Sequence, residues 1–296
     1  MLFAPTRSFT RRWAGISLPP ISALLGLAVG DGQVALLWLG QSGFALRFKD
    51  VSVVVDPFLS PHPDRLTPPA FNPADANWID AIACTHEHID HLDLHAVATL
   101  AAASTRAVVV VPEPIVRMIT RVGIDPGRVL GVQPGRPVKI RSLVIHSVPA
   151  SHGIKPQDAY NFGESMSNGL VRYVGYVFQA PGISLYHAGD TVDYPALAQR
   201  LRGLDVRLAL LPINGRSLER EAHDIVGNLD ADEAVDLAAR AGITTLIPMH
   251  YDMFAGNLGD PDRVVNSVRS RDLGIQVVIP DLDQPFLYTG SIPSTN

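Results

Sequence analysis

The sequence predicts an α/β fold in which two mixed sheets pack face to face and helices cover both outer faces. Three observations predict it. Short apolar runs bounded by turn residues recur from Val34 to Ile279. Helix-like segments with their own start and stop signals interrupt them. The rhythm also occurs twice, each half running through strands before helices, which is how two sheets come to be layered with helices outside. The chain has 296 residues, 47% hydrophobic and 18% charged, enough to bury one large core. No linker rich in Pro, Gly or Ser divides it. One domain from 34 to 290 is therefore expected, after an N-terminal extension from 1 to 33.

The extension carries Arg7, Arg11 and Arg12 ahead of a mildly apolar stretch, Ile21 to Val29. Thr10-Arg11-Arg12-Trp13 resembles a twin-arginine export signal. Against export, Pro19-Pro20 interrupts the segment and no small-x-small cleavage site follows before Asp31. A helix packed on the domain and a cytoplasmic protein are expected, with export as the alternative. The run is too short to span a bilayer, so no stable membrane insertion is expected.

From Val34 to Leu39, Phe44 to Phe48 and Val51 to Val55 three strands should form an antiparallel meander ending at Asp56-Pro57. Ile79 to Cys84 reads as a buried strand and Leu92 to Leu100 as a helix. Val108 to Val111, a helix from Glu113 to Val122 and strands around Val138 to Val148 follow. Gly153 to Gly169 is polar and aperiodic, a long loop of the kind that often covers a site. Further strands run from Val171 to Phe178, Ser184 to Tyr186 and Val206 to Leu211. Asp230 and Glu233 form a capping box for a helix whose apolar face includes Ala234, Val235 and Leu237, and Gly242 stops it. Strand Thr244 to Pro248, helix Pro261 to Arg271 and strand Ile275 to Ile279 close the series.

The turn after the Ile79–Cys84 strand is the most informative segment. Thr85-His86-Glu87-His88-Ile89-Asp90-His91 packs three histidines and an aspartate into the order His-x-His-x-Asp-His. Imidazole nitrogens and carboxylate oxygens are ligands that borderline divalent metals favour. Residues two apart in an extended turn point the same way, so His86 and His88 can grip one ion. Asp90 and His91, one bend further on, can face a second. Three more candidates stand at strand ends: His152, Asp190 and His250. Singly each is an ordinary capping or packing residue. Their common placement behind a small or kinked residue makes them a set.

Other features narrow the function. Net charge is −5 and Lys49, Lys139 and Lys155 are the only lysines. With no basic run, nucleic acid is not an expected partner. The lone cysteine, Cys84, excludes an intrachain disulfide. No Gly-x-Ser-x-Gly element offers a serine nucleophile. Leu211-Pro212-Ile213-Asn214-Gly215-Arg216 leaves a strand with an amide and a guanidinium, suited to a phosphate or carboxylate, or forms an ordinary turn. Tyr251 beside His250 is a further candidate for substrate contact. His223 is read as a surface residue and His187 as lying just behind the ligands.

These residues carry a resemblance. From about Val34 to Leu287 the chain resembles the metallo-β-lactamase superfamily, a four-layer αββα hydrolase fold. Within it the chain is most similar to the L-ascorbate-6-phosphate lactonase group, through Trp38-Leu39-Gly40, Val55-Asp56-Pro57-Phe58, Tyr186-His187-Ala188-Gly189-Asp190 and Pro248-Met249-His250-Tyr251-Asp252. It is similar to N-acyl-phosphatidylethanolamine phospholipase D at Thr85 to Asp93 and Ala188 to Thr191. The resemblance implies that His86, His88 and His152 bind one metal ion, that Asp90, His91 and His250 bind another, and that Asp190 bridges them. It also makes Asp56 an orienting carboxylate. Five histidines and two aspartates suit zinc, manganese or iron, and the lactonase resemblance favours manganese, then zinc.

The expected activity is metal-dependent hydrolysis of a small ester or lactone, a sugar-phosphate lactone if the lactonase likeness extends to substrate. A hydroxide bridging two ions would attack, and Asp90 would take up the proton as the intermediate collapses. The alternatives are a phosphodiesterase acting on phospholipid or cyclic nucleotide, and a non-catalytic metal-binding sensor. A small-molecule substrate is expected as the partner, and a homo-oligomer is implied by resemblance alone.

Overall fold

The computed structural model describes residues 19–163 and 169–290. Thr10 to Trp13, with the other N-terminal arginines, and positions 164–168 of the expected loop lie outside the described residues. Among the described residues, fourteen strands form two seven-stranded mixed sheets.

The first half contains β1 (Gln33–Gly40), β2 (Gly43–Arg47), β3 (Ser52–Val55), β4 (Ala81–Ala83), β5 (Val108–Pro112) and β6 (Val129–Val132). The second contains β7 (Val138–Ile140), β8 (Leu143–Pro149), β9 (Val174–Ala180), β10 (Ile183–His187), β11 (Leu208–Pro212), β12 (Thr245–Met249) and β13 (Gln276–Val277). The last strand, β14 (Phe286–Thr289), returns to pair with β1, so the orders are β14-β1-β2-β3-β4-β5-β6 and β13-β12-β11-β10-β9-β8-β7. Each half opens as an antiparallel meander and continues in parallel, β3 to β6 in one and β10 to β13 in the other.

Strand alternation assigns side chains to layers. Val34, Leu36 and Trp38 of β1 join the core containing Tyr176 and Phe178 of the second sheet. Their neighbours Ala35, Leu37 and Leu39 point the other way, into a second core. There α1 (Pro20–Gly26), α2 (Leu94–Ala103) and α3 (Val116–Arg121) contribute Leu24, Leu100 and Ile119. On the second sheet α4 (Leu197–Gly203), α6 (Ala231–Ala241) and α7 (Pro261–Ser270) bury Leu201, Leu237 and Val264, while the single turn α5 (Leu218–Glu221) buries no side chain. Helices thus cover both outer faces.

The α6 boundaries follow the sequence signals. Asp230 accepts the Glu233 N–H at 2.9 Å, Glu233 accepts the Asp230 N–H at 3.0 Å, and Gly242 takes the left-handed conformation at φ 74°. Elsewhere the structure adds to the sequence reading. Strands β6 and β14 and helices α4 and α5 were not expected, and β13 is shorter than Ile275 to Ile279. The helix expected from Glu113 opens with a 3-10 turn, Glu113–Ile115, around Pro114. Pro20 begins α1 instead of breaking it, because the first helical position has no N–H bond to lose. Among the described residues no helix is long and apolar enough to cross a membrane.

Candidate metal centre

The two sheets place their loops at one edge, and the candidate residues gather there. Asp56 follows β3, His86 follows β4, His152 follows β8, Asp190 follows β10 and His250 follows β12. Two of these positions need unusual backbone: Asp56 has φ 45° and His250 has φ 59°. Left-handed backbone at such residues costs about 1–2 kcal/mol each, so the surrounding packing holds them. Gly189, at φ 60°, lets the Asp190 loop lie against Thr85, where an added Cβ would stand 2.8 Å from the Thr85 Cβ.

Two groups of donor atoms converge. His86, His88, His152 and Asp190 form one; Asp90, His91 and His250 form the other. Asp190 also touches the second group, with its Oδ1 3.3 Å from His91 Nε2 and its Oδ2 3.3 Å from His250 Nε2. Its Oδ2 lies 3.7 Å from His152 Nε2. His86, His91, His152, Asp190 and His250 are buried, whereas the Asp90 side chain keeps 17% of its surface exposed.

The hydrogen bonds around these rings fix which nitrogen carries the proton. His91 Nδ1 lies 2.7 Å from Asp56 Oδ2 and donates to it, leaving Nε2 as a lone pair. Asp56 Oδ1 accepts the Thr85 N–H at 2.8 Å and its Oδ2 accepts the Thr85 hydroxyl at 2.8 Å. That hydroxyl oxygen in turn receives His86 Nδ1 at 3.1 Å, so His86 Nε2 is also a lone pair. His88 donates Nε2–H to the Ile154 carbonyl at 3.2 Å, leaving Nδ1. His88 Nδ1 then sits 2.9 Å from His86 Nε2 and 3.2 Å from His152 Nε2. The His86 and His88 lone pairs, 2.9 Å apart, repel each other unless they share a cation.

Electrostatics point the same way. Burial disfavours a charged His91, yet Asp190, Asp90 and Asp56 outweigh it and hold its pKa well above the usual value. His250, equally buried, is raised to about 9 by Asp190 and Asp90. Burial, with neighbouring imidazoles, pushes His86 well down, and burial brings His152 to about 3. Burial also opposes charge on Asp90 and Asp190, but His91 and His250 hold both carboxyls below the ordinary range. The carboxylates demand positive charge between the rings, which protons on two histidines or divalent cations can meet. His91 Nε2 and Asp190 Oδ1 are buried and have no hydrogen-bond partner. With an all-nitrogen-and-oxygen donor set, the residues fit divalent metal.

The remaining sequence candidates fall around this cluster. His187 donates Nε2–H to the Ser42 carbonyl at 2.7 Å and accepts the Gly189 N–H at 3.2 Å, tying two loops together behind Asp190. The Asn214 side chain bonds to Asn257 at 2.7 Å and Asn228 at 3.0 Å. Arg216 forks onto Glu233 with two contacts of 2.6 Å. Tyr251 stacks on Trp38 with ring centroids 5.1 Å apart. These three side chains are engaged within the protein. His223 lies against the Glu219 carbonyl on the surface.

Gln41 was not singled out from the sequence, where Gly40-Gln41-Ser42-Gly43 reads only as a turn. It is fully buried at φ 52°, and its Nε2 donates to Asp90 Oδ2 at 2.8 Å and lies 3.2 Å from His250 Nε2. The two glycines flanking a long amide were the available signal.

The β-lactamase superfamily domain matches residues 52–251. A probable L-ascorbate-6-phosphate lactonase of Salmonella heidelberg (strain SL476) is 28% identical over 207 residues, 68% of this chain. The match spans only 56% of that protein's length. A metal-dependent hydrolase of Myxococcus xanthus (strain DK1622) is 27% identical over 261 residues, 86% of this chain and 83% of the relative. Among solved structures, Igni18, a metallo hydrolase of Ignicoccus hospitalis, aligns with a TM-score of 0.68 at 22% identity, covering 88% of this chain and 100% of that one. The last likeness is one of fold.

Proposed function

This chain belongs to the β-lactamase superfamily, and from that premise we propose that it is a metal-dependent hydrolase that opens a small ester or lactone at its carbonyl carbon. The observation that carries this reading is the pair of donor sets meeting at Asp190 beside the partly exposed Asp90. His86, His88, His152 and Asp190 would hold one ion, and Asp90, His91 and His250 a second, with Asp190 between them; manganese or zinc is proposed, with iron compatible. Two such ions supply an activated water and polarise the carbonyl under attack.

The chain's own residues do the rest. Asp56 keeps the proton on His91 Nδ1, and the Ile154 carbonyl keeps it on His88 Nε2, so the opposite nitrogens stay available. Gln41 steadies Asp90 through its 2.8 Å amide bond. Asp90, as the exposed carboxylate of the cluster, receives the proton of the attacking water and passes it to the leaving alkoxide. The name of the Salmonella relative supports a lactone among the candidate esters.

The test is a hydrolysis screen on metal-analysed protein, with esters, lactones and bis-para-nitrophenyl phosphate. Ester or lactone turnover that falls at least about a hundredfold in His88→Ala supports the reading. Turnover of the phosphodiester alone would replace it with a phosphodiesterase. Bound metal without any turnover would favour a binding role.

A further inference from the structure

Asp90 lines a cavity of about 700 Å³, and the walls of that cavity have a definite character. Leu66, Ile89, Ile225 and Phe254 supply apolar surface. Leu66 and Ile89 are 56% and 60% exposed, unusual for side chains of that size beside a polar centre. Phe254 is backed by Phe58, with ring centroids 6.0 Å apart. The volume suits a ligand of small-molecule size.

The cavity's cation is Arg65, whose guanidinium carbon lies 4.6 Å from the Phe58 ring centroid. Arg65 donates to the Thr67 and Phe58 carbonyls at 2.9 and 2.7 Å, while its buried Nη2 has no partner. Asp64 stands on the same wall. An adjoining cavity shares Ile225, Ala255 and Gly256 and brings in further arginines, but their donors are engaged. Arg216 is paired with Glu233, Arg263 with Asp232 at 2.5 Å, and Arg220 donates to the Asn214 and Leu258 carbonyls. A doubly charged phosphate would find few cations to receive it. An apolar chain would find a wall that matches it.

We propose that this cavity binds an apolar arm, so that the substrate class is an acyl or alkyl-substituted ester or lactone of medium chain length. The inference rests on the ester-or-lactone reading above and narrows it. Burying the arm in the cavity strengthens binding and orients the carbonyl toward Asp90.

The test uses the metal-loaded full chain with para-nitrophenyl acetate, butyrate, hexanoate and octanoate and the matching alkyl γ-lactones. Octanoate binding is measured alongside by calorimetry, as a probe that is not hydrolysed. The expected result is a kcat/KM that climbs about two- to fourfold per added methylene until the cavity is filled, the upper figure being full burial of a CH2. Leu66→Asp and Phe254→Ala should flatten the octanoate-to-acetate ratio and weaken octanoate binding about tenfold or more. A ratio is insensitive to partial loss of folded protein, which guards the comparison. A flat or falling chain-length profile with hydrolysis intact would overturn the apolar arm and leave the ester-or-lactone reading standing. Octanoate binding that Leu66→Asp weakens, with no ester or lactone turned over, would support the cavity and refute the reaction. Absence of both octanoate binding and chain-length dependence would overturn the inference.

Discussion

Replacing Asp56 by asparagine isolates what an orienting carboxylate does when it touches no ion itself. The wild-type group is fully buried, with Oδ1 accepting the Thr85 N–H and Oδ2 accepting both the Thr85 hydroxyl and His91 Nδ1–H. An asparagine keeps the first bond. Its NH2 then faces two groups that were donors, so His91 must move its proton to Nε2 and present Nδ1 instead. The nitrogen aimed at Asp190 becomes an N–H. Losing a hydrogen bond to a charged partner costs about 1.5–3 kcal/mol, which shifts the melting temperature by about 3–12 °C in a domain of this size. The larger effect should be on metal, a fall of about 10–100-fold in affinity at the set containing His91. His88 and His152 do not bond to Asp56, and His86 meets it only through the Thr85 hydroxyl, so the other ion should lose less, staying within about threefold, a difference of under about 1 kcal/mol. Competitive chelator titration with zinc and manganese, plus ions per chain by mass spectrometry, reads both sites. Two ions retained at unchanged affinity in Asp56→Asn would refute the tautomer argument. So would equal loss of both from a protein that remains folded.

Three further outcomes follow from the packing. Gly189→Ala combines a left-handed backbone, about 1–2 kcal/mol, with overpacking against Thr85, about 1–3 kcal/mol, and should lower the denaturant midpoint clearly; an unchanged midpoint would contradict the close approach. Asp230→Ala removes one arm of the α6 capping box and should destabilise by about 1 kcal/mol in the same assay; unchanged stability would refute the cap's contribution. Cys84 is wholly buried, and burial raises its thiol pKa, so a thiol reagent should leave the native protein unmodified and label one cysteine per chain after denaturation. Stoichiometric labelling of native protein would show that the β4 strand end opens.

Much of this fold is readable because its signals are local. The three-strand meander ends at Asp56 as the turn residues suggest, and the Asp230–Glu233 box with Gly242 marks α6 at both ends. Strand β14 is different: four residues of alternating exposure whose partner β1 lies some 250 positions earlier, so nothing nearby announces the pairing. The histidine-rich turn stands out for the same local reason, and the strand-end residues His152, Asp190 and His250 do meet it in space. Asn214 and Arg216 show the converse. Their residue types suit an anion, but type does not reveal that Asn228, Asn257 and Glu233 already engage them. Gln41 escaped notice because its importance comes from tertiary position: a turn between two strands of one sheet carries it to Asp90 of the same sheet and His250 of the other.

The division of the candidate ligands between the two halves has a consequence for how the molecule coheres. Each set draws from both sides of the sandwich: His86 and His88 meet His152 and Asp190, while Asp90 and His91 meet His250. The His250 N–H also donates across to the Gln41 carbonyl at 2.9 Å. Neither half owns a complete site, so an ion held there acts as a rivet through the seam. By linkage, metal at a hundred times its dissociation constant adds about 2.7 kcal/mol against any motion that separates the halves. The same linkage runs backwards: whatever loosens the seam, however far from the edge, loosens the grip on the ion.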